Sequence, residues 1–149
     1  MVKPPARLLR CLAQTLAAFA LGVAATTAAV TPAQASAWGC SYYGNLGPIK
    51  GLPIYNGSYC AGVDGSGTWV DGVYGNFSSA GNVCNWNITA EFFDGAGRWY
   101  QTYTSGTHWT CERVGSDSIY IGERKQRGRV CSTLNTNGGR ITSVCHNIK

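Results

Sequence analysis

Cys84-Asn85-Trp86-Asn87-Ile88-Thr89-Ala90-Glu91-Phe92-Phe93 is the stretch that decides the fold. Cys84, Trp86, Ile88, Ala90 and Phe92 fall on one side of an extended chain, and Asn85, Asn87, Thr89 and Glu91 fall on the other. This two-residue period marks a strand with one buried face. Asp94-Gly95-Ala96-Gly97 supplies turn residues, and Arg98 to Tyr103 returns with Trp99, Gln101 and Tyr103 alternating against Arg98, Tyr100 and Thr102, which predicts a hairpin. Outward from it, Arg129 to Leu134 and Arg140 to His146 flank Asn135-Thr136-Asn137-Gly138-Gly139, whose Asn-Gly step accepts positive φ, and a second hairpin is expected. An odd-numbered loop centred on Gly138 would set Cys131 opposite Cys145 on one face. Short strands are expected at Thr68 to Tyr74, with Trp69 and Val70 on opposite faces, at His108 to Arg113 and at Ser118 to Gly122, the last two separated by Gly115-Ser116-Asp117. No window sustains a 3.6-residue apolar repeat. The chain therefore reads as all-β: a small disulfide-stapled antiparallel β-sandwich, with an extended N-terminal arm.

Residues 1–37 read as a secretory signal peptide. Lys3, Arg7 and Arg10 precede an apolar stretch from about Leu12 to Val30, and Ala35-Ser36-Ala37 is a small-residue cleavage site. A secreted, extracellular protein is expected, in an oxidising compartment. Of the 7 cysteines, Cys11 falls in the leader, leaving Cys40, Cys60, Cys84, Cys111, Cys131 and Cys145. An even set in a small exported domain reads as a disulfide framework rather than metal or redox chemistry. Short separations favour Cys40 with Cys60 and Cys84 with Cys111, and the hairpin register favours Cys131 with Cys145. Each bridge adds roughly 3 kcal/mol in the chain-entropy model, so together they rival the net stability of such a domain, roughly 5–15 kcal/mol. Much of the formal charge of +5 belongs to the leader, so nothing global points to nucleic acid or an anionic membrane. No second apolar run approaches the roughly twenty residues of a membrane span.

The domain divides into an arm over 38–58 and a disulfide-rich sandwich over 59–149. The arm carries Gly39, Gly44, Gly47, Pro48, Gly51, Pro53 and Gly57, which argue against a long regular ladder, yet it also holds Trp38, Tyr42, Tyr43, Leu46 and Ile49. Either it packs on its own sandwich, tied by Cys40 and Cys60, or it docks on another protein by strand addition.

Catalytic signatures are missing. His108 and His146 are the only imidazoles, and no spacing ties His108 to Glu91 or Asp94 as an acid/base pair, so both histidines read as surface or strand-edge residues. With the cysteines oxidised no thiolate nucleophile remains, and neither a Gly-x-Ser-x-Gly elbow nor a His-Glu-x-x-His helix occurs. Asp64-Gly65, Asp71-Gly72 and Asp94-Gly95 are turn dipeptides without a ligating Glu at calcium-loop spacing. No cofactor and no metal are expected, and the chain reads as non-enzymatic. Two further surfaces stand as candidates for binding. One is the run Glu123 to Arg129, in which Arg124, Lys125, Arg127 and Arg129 concentrate positive charge, either as a patch for an acidic partner or as a solvated loop guarding an edge strand. The other is the aromatic hairpin Arg98-Trp99-Tyr100, one of whose faces is buried and the other presented.

The leader and the Gly- and Trp-rich six-cysteine body resemble small secreted β-sandwich proteins of actinobacteria. Ser78, Ala80, Asn82, Cys84 and Thr89, with Tyr120-Ile121-Gly122 before a basic run and a cysteine, are similar in spacing to tendamistat-type α-amylase inhibitors. Gly75, Asn76 and Phe77 stand where those inhibitors present Trp-Arg-Tyr, so the resemblance does not carry amylase inhibition. The arm followed by a compact sandwich also resembles, in architecture alone, the adaptor subunits of umbrella toxin particles. The resemblance implies a protein-binding adaptor or interaction subunit of an extracellular, toxin-like assembly, with another secreted protein as partner. An inhibitor of a secreted glycosidase or protease is the alternative, followed by a carbohydrate-binding protein or a small secreted ribonuclease. Neither a membrane nor a nucleic acid is an expected partner.

Overall fold

The computed structural model describes residues 36–149; the expected leader over 1–37 lies outside the described residues as far as residue 35. These are all-β, with strands β1 (Ala37–Tyr43), β2 (Gly47–Ile49), β3 (Leu52–Ile54), β4 (Gly57–Ser66), β5 (Trp69–Asp94), β6 (Trp99–Thr104), β7 (His108–Arg124), β8 (Gly128–Thr136) and β9 (Gly139–Ile148). β2 and β3 form a separate hairpin, and the rest belong to one 7-stranded sheet, every pairing antiparallel.

The sheet is built on β5. Its first half lies between β4 and β7, with Val63 opposite Val73 and Val73 opposite Ile119; its second half lies between β8 and β6, with Ala90 opposite both Ser132 and Tyr103. The sheet therefore curls into two leaves, β1-β4-β5-β7 and β9-β8-β5-β6, that bury their facing sides. The sequence suggested two strands, at Thr68 to Tyr74 and from Cys84, where one runs through. The intervening glycines and serines look like a loop but keep the alternation, with Val73, Gly75, Phe77, Ser79, Gly81 and Val83 turned inward. Their smallness makes room, because the Tyr59 ring lies over Gly75 and the Tyr55 ring over Gly81, where any Cβ would collide. β7 is likewise continuous through Gly115-Ser116-Asp117, with Gly115 under the rings of Phe77 and Trp86.

Between Val83 and Trp86 the buried positions change from odd to even numbers. Asn85 sits there at φ 49°, at a shift of register between Cys84 and Trp86. Asparagine tolerates this left-handed conformation better than most side chains, and the inserted residue is a β-bulge that rotates the strand by one position. The Asn137 N–H donates to the Asn85 carbonyl, and the Thr136 hydroxyl donates to the Cys84 carbonyl. Cys84 therefore does not share the face of Trp86, as simple alternation required, but points outward to Cys111.

All three bridges join residues directly opposite one another: Cys40–Cys60, Cys84–Cys111 and Cys131–Cys145. The last forms in the expected register by a different route. The β8–β9 turn has Asn137 at φ 46° and Gly138 at φ 74°, a two-residue reversal, and a bulge between Leu134 and Asn135 absorbs the odd residue.

Of the two alternatives for residues 38–58, the structure takes self-packing. β1 forms an unbroken ladder on β4 from Ala37 opposite Val63 to Tyr43 opposite Gly57, more regular than the glycine and proline content suggested. Both prolines fall beyond this ladder, in the β2–β3 hairpin. β1 then closes on β9 through side chains: Gly39 lies beneath Val144 and His146, Ser41 and Thr142 share a 2.8 Å hydroxyl contact, and His146 Nε2 meets the Ala61 carbonyl at 3.0 Å. Across the middle the buried Tyr59 hydroxyl bonds Ser132, and burial pushes its phenol up to about 12.

Because the phase change rests on a left-handed residue, Asn85→Gly is expected to keep the fold at near wild-type stability, whereas Asn85→Val should lose about 2 kcal/mol, the order of cost for a branched side chain held there. Urea unfolding of the oxidised protein measures the difference.

Candidate functional site

The structure separates the three sequence-level candidates into two regions. At one end of the sandwich the β5–β6 turn and the β7–β8 loop lie side by side: Gly128 pairs with Asp94, Arg129 with Phe93, and the Gln126 N–H donates to the Tyr100 hydroxyl. The turn is held by Asp94, whose carboxylate accepts from the N–H groups of Ala96 and Arg98 and pairs with the Arg98 guanidinium at 2.8 Å. These contacts, led by the Arg98 backbone N–H, hold its carboxyl below the ordinary range. A bulge between Phe92 and Phe93 brings Tyr100 inward with Tyr103, both against Phe92, and leaves Trp99 60 % exposed. The expected opposition of Tyr100 to Trp99 and Tyr103 is thus overturned, and Tyr100 is partly buried on the core side.

Lys125 also leaves the basic patch. Its side chain is 2 % exposed and plugs the side of the sandwich opposite β1 and β9. Nζ donates to Gln101 Oε1 at 2.8 Å, to the Tyr103 hydroxyl and to Glu123 Oε2 at 2.7 Å, over the rings of Phe92 and Tyr103. The Tyr103 hydroxyl donates in turn to Glu123. Burial alone pulls the ammonium down, but the hydrogen bonds to Glu123 and Tyr103 outweigh it and hold Lys125 above its ordinary value. The same bonds, that of Lys125 first, hold Glu123 below its own. Arg124, Arg127 and Arg129 remain exposed, with Arg129 over the Phe93 ring.

The second region is the outer face of β1-β4-β5-β7. Tyr43 and Ile49, expected at a binding surface, are turned to the core, Tyr43 fully and Ile49 in part against Gly139. Leu46 is half exposed in the connection beyond β1. Trp38 and Tyr42 alternate outward from β1 and are 50 % and 82 % exposed. The register sets Trp38 in line with Gly62, Tyr74 and Ser118, and Tyr42 in line with Ser58, Ser78 and Val114. Trp38 and Tyr74 stack at 5.4 Å over Gly62, whose bare Cα leaves room for both rings. Tyr120, 85 % exposed, and Val114, 68 % exposed, complete the face from β7. Between them lie small residues: Ser58, the Cys40–Cys60 bridge, Asn76, Ser78, Ser116 and Ser118. Tyr74, Val114 and Tyr120 were missed by sequence reasoning. The alternation of Ile119, Tyr120 and Ile121 was the usable signal, since two buried isoleucines force the tyrosine outward.

His108 is not a free edge residue. Its ring stacks flat on Trp86 at 3.9 Å, and Nε2 meets Asp117 at 3.0 Å, while Glu91 pairs with Arg140 and Asp94 with Arg98. Burial raises the Asp117 carboxyl, but bonds from Ser105, His108 and the Ser118 N–H prevail and hold it low. The pair ties the first residue of β7 to the middle of the same strand. Among the described residues no cluster of His, Cys, Asp or Glu is arranged to hold a metal, and no helix is long and apolar enough to cross a membrane.

No family model, curated protein or solved structure matches the chain.

The latch at Lys125 gives stability a pH signature. A raised lysine stabilises the fold below its unfolded value of 10.5, and this contribution is lost as pH rises through the higher folded value. Glu123 and Asp117, both lowered, stabilise above their unfolded values of 4.5 and 3.8, and this is lost as pH falls through the folded values. Lys125→Met, which keeps the buried stem without the charge, is expected to flatten the alkaline limb of a melting-temperature profile, whereas Asp117→Asn should flatten the acid limb.

Proposed function

We propose that this protein is a secreted, non-enzymatic binding module that engages another protein through the outer face of β1-β4-β5-β7, as an adaptor or interaction subunit of an extracellular, toxin-like assembly. The observation that carries the reading is the placement of Trp38, Tyr42, Val114 and Tyr120 on one leaf, all at least half exposed, around a centre of small residues. Large exposed apolar side chains gathered on one face mark contact surfaces, and tryptophan and tyrosine supply most of the energy in them. The three bridges and the self-paired β1 present these side chains on a rigid support, which limits the ordering cost of binding. The partner would meet a preformed face rather than a docking arm.

A second reading rests on the β5–β6 turn. Asp94 fixes it with several hydrogen bonds, and it projects Arg98 and Trp99, with the Arg127 backbone beside its Gly95. A rigid projecting loop of this kind suits an inhibitor of a secreted hydrolase.

The test uses the protein that co-purifies with the native chain from culture supernatant. Tyr42→Ser with Tyr120→Ser is expected to leave the melting temperature nearly unchanged, as surface changes usually do within about 0.5 kcal/mol. The same pair should weaken that partner about tenfold or more, as the loss of exposed anchors does. Full affinity in this variant, with loss in Trp99→Ser, would move the contact to the turn and favour the inhibitor.

A further inference from the structure

A groove of about 340 Å³ opens on this same face above Gly72. It follows from register. Asp64, Gly72 and Tyr120 lie directly opposite one another on β4, β5 and β7, so the central position has no side chain between a carboxylate and a phenol. Tyr74 is the next outward position along β5 and forms the adjoining wall, braced by Trp38. Tyr120 leans over Gly122 and leaves the gap uncovered. Asp71 closes the remaining side, its carboxylate accepting from the Trp69 indole N–H at 2.7 Å.

The lining has a consistent sign. It holds two carboxylates and two phenol rings, with Ser118 as the other polar side chain and no basic residue. None of the ion pairs among the described residues involves Asp64 or Asp71. Aromatic faces attract cations, and an acidic group beside them adds a direct electrostatic term. Such a gap fits the end of one extended side chain better than a flat surface.

We infer that the groove above Gly72 receives a lysine or arginine side chain of the protein partner, its cationic head against Asp64 and its stem between Tyr74 and Tyr120. The inference rests on this face being the contact surface and assigns the chemistry of the partner's central contact. Asp71 adds a second negative charge to the lining, one of its oxygens already accepting from the Trp69 indole N–H.

The probe is a short peptide of arginine or lysine with amidated ends, titrated into the oxidised protein by calorimetry, with the ring protons of Tyr74 and Tyr120 followed by NMR. Saturable binding that shifts both rings and weakens as salt rises is expected. Asp64→Asn and Tyr120→Ala should each weaken it roughly three- to fivefold, the scale of an exposed cation–aromatic contact. Glu112→Gln, which removes one negative charge from β7 outside the groove lining, should leave it unchanged. Equal losses in Asp64→Asn and Glu112→Gln would reduce the effect to general charge and overturn the site. So would the absence of binding, or binding of a neutral oligosaccharide in place of the peptide. Tyr42→Ser, on a different row of the face, separates the two claims. If it weakens the co-purified partner while Asp64→Asn does not, the face stands and the groove assignment falls.

Discussion

A single strand has to keep one side buried while serving two leaves. β5 is 26 residues long and, among the described residues, is the only strand paired to four others, β4 and β7 along its first half, β8 and β6 along its second. A sheet that folds over on itself needs local irregularity where the strand crosses over. Asn85 supplies it. One residue in the left-handed region shifts Trp86, Ile88, Ala90 and Phe92 into phase with the core and sends Cys84 out to its bridge. Without that shift the second half of the strand would turn Asn87, Thr89 and Glu91 to the core and Trp86, Ile88, Ala90 and Phe92 outward.

The open sides of the curled sheet are closed by side chains rather than by backbone pairing. On one side β1 meets β9 through Gly39, Ser41 and His146; on the other, Lys125 reaches in from the end of β7 to Gln101 and Tyr103 on β6. An apolar side chain would fill the second gap with less desolvation, but the ammonium satisfies Gln101, Tyr103 and Glu123 together, and a buried charge is tolerable only with such partners. The disulfides act within the leaves, each across neighbouring strands, and restrict the unfolded chain more than they shape the core.

The candidate surface is a product of the same economy of space. Gly62 and Gly72 leave gaps on the outer face as Gly75 and Gly81 do on the inner one. Inside, the gaps are filled by rings of neighbouring strands. Outside, Trp38 and Tyr74 cover Gly62, while Gly72 stays open between Asp64 and Tyr120. One residue type thus has two outcomes, packing or groove, decided by which side chains the register sets beside it.

Local chemistry was legible in the sequence. The alternation from Trp86 to Phe92, the Asp94 and Asn137-Gly138 turns, and the proximity of paired cysteines are properties of neighbouring residues, and they determined an all-β, bridge-stapled fold. Whatever depended on strands distant in the chain was not legible. The stretch between Tyr74 and Cys84 carried no strand signal until facing rings explained its glycines, and the phase of β5 was hidden in one asparagine. Lys125 read as one charge among four until the fold brought Gln101 and Tyr103 to it, and which face of the aromatic hairpin is buried stayed open until a bulge turned Tyr100 inward beside Tyr103. The aromatic face needed β1, β4, β5 and β7 in register. Sequence determines which side chains alternate along a strand, whereas only tertiary structure decides which strands share a face, because register and curl are set by contacts that no single segment contains.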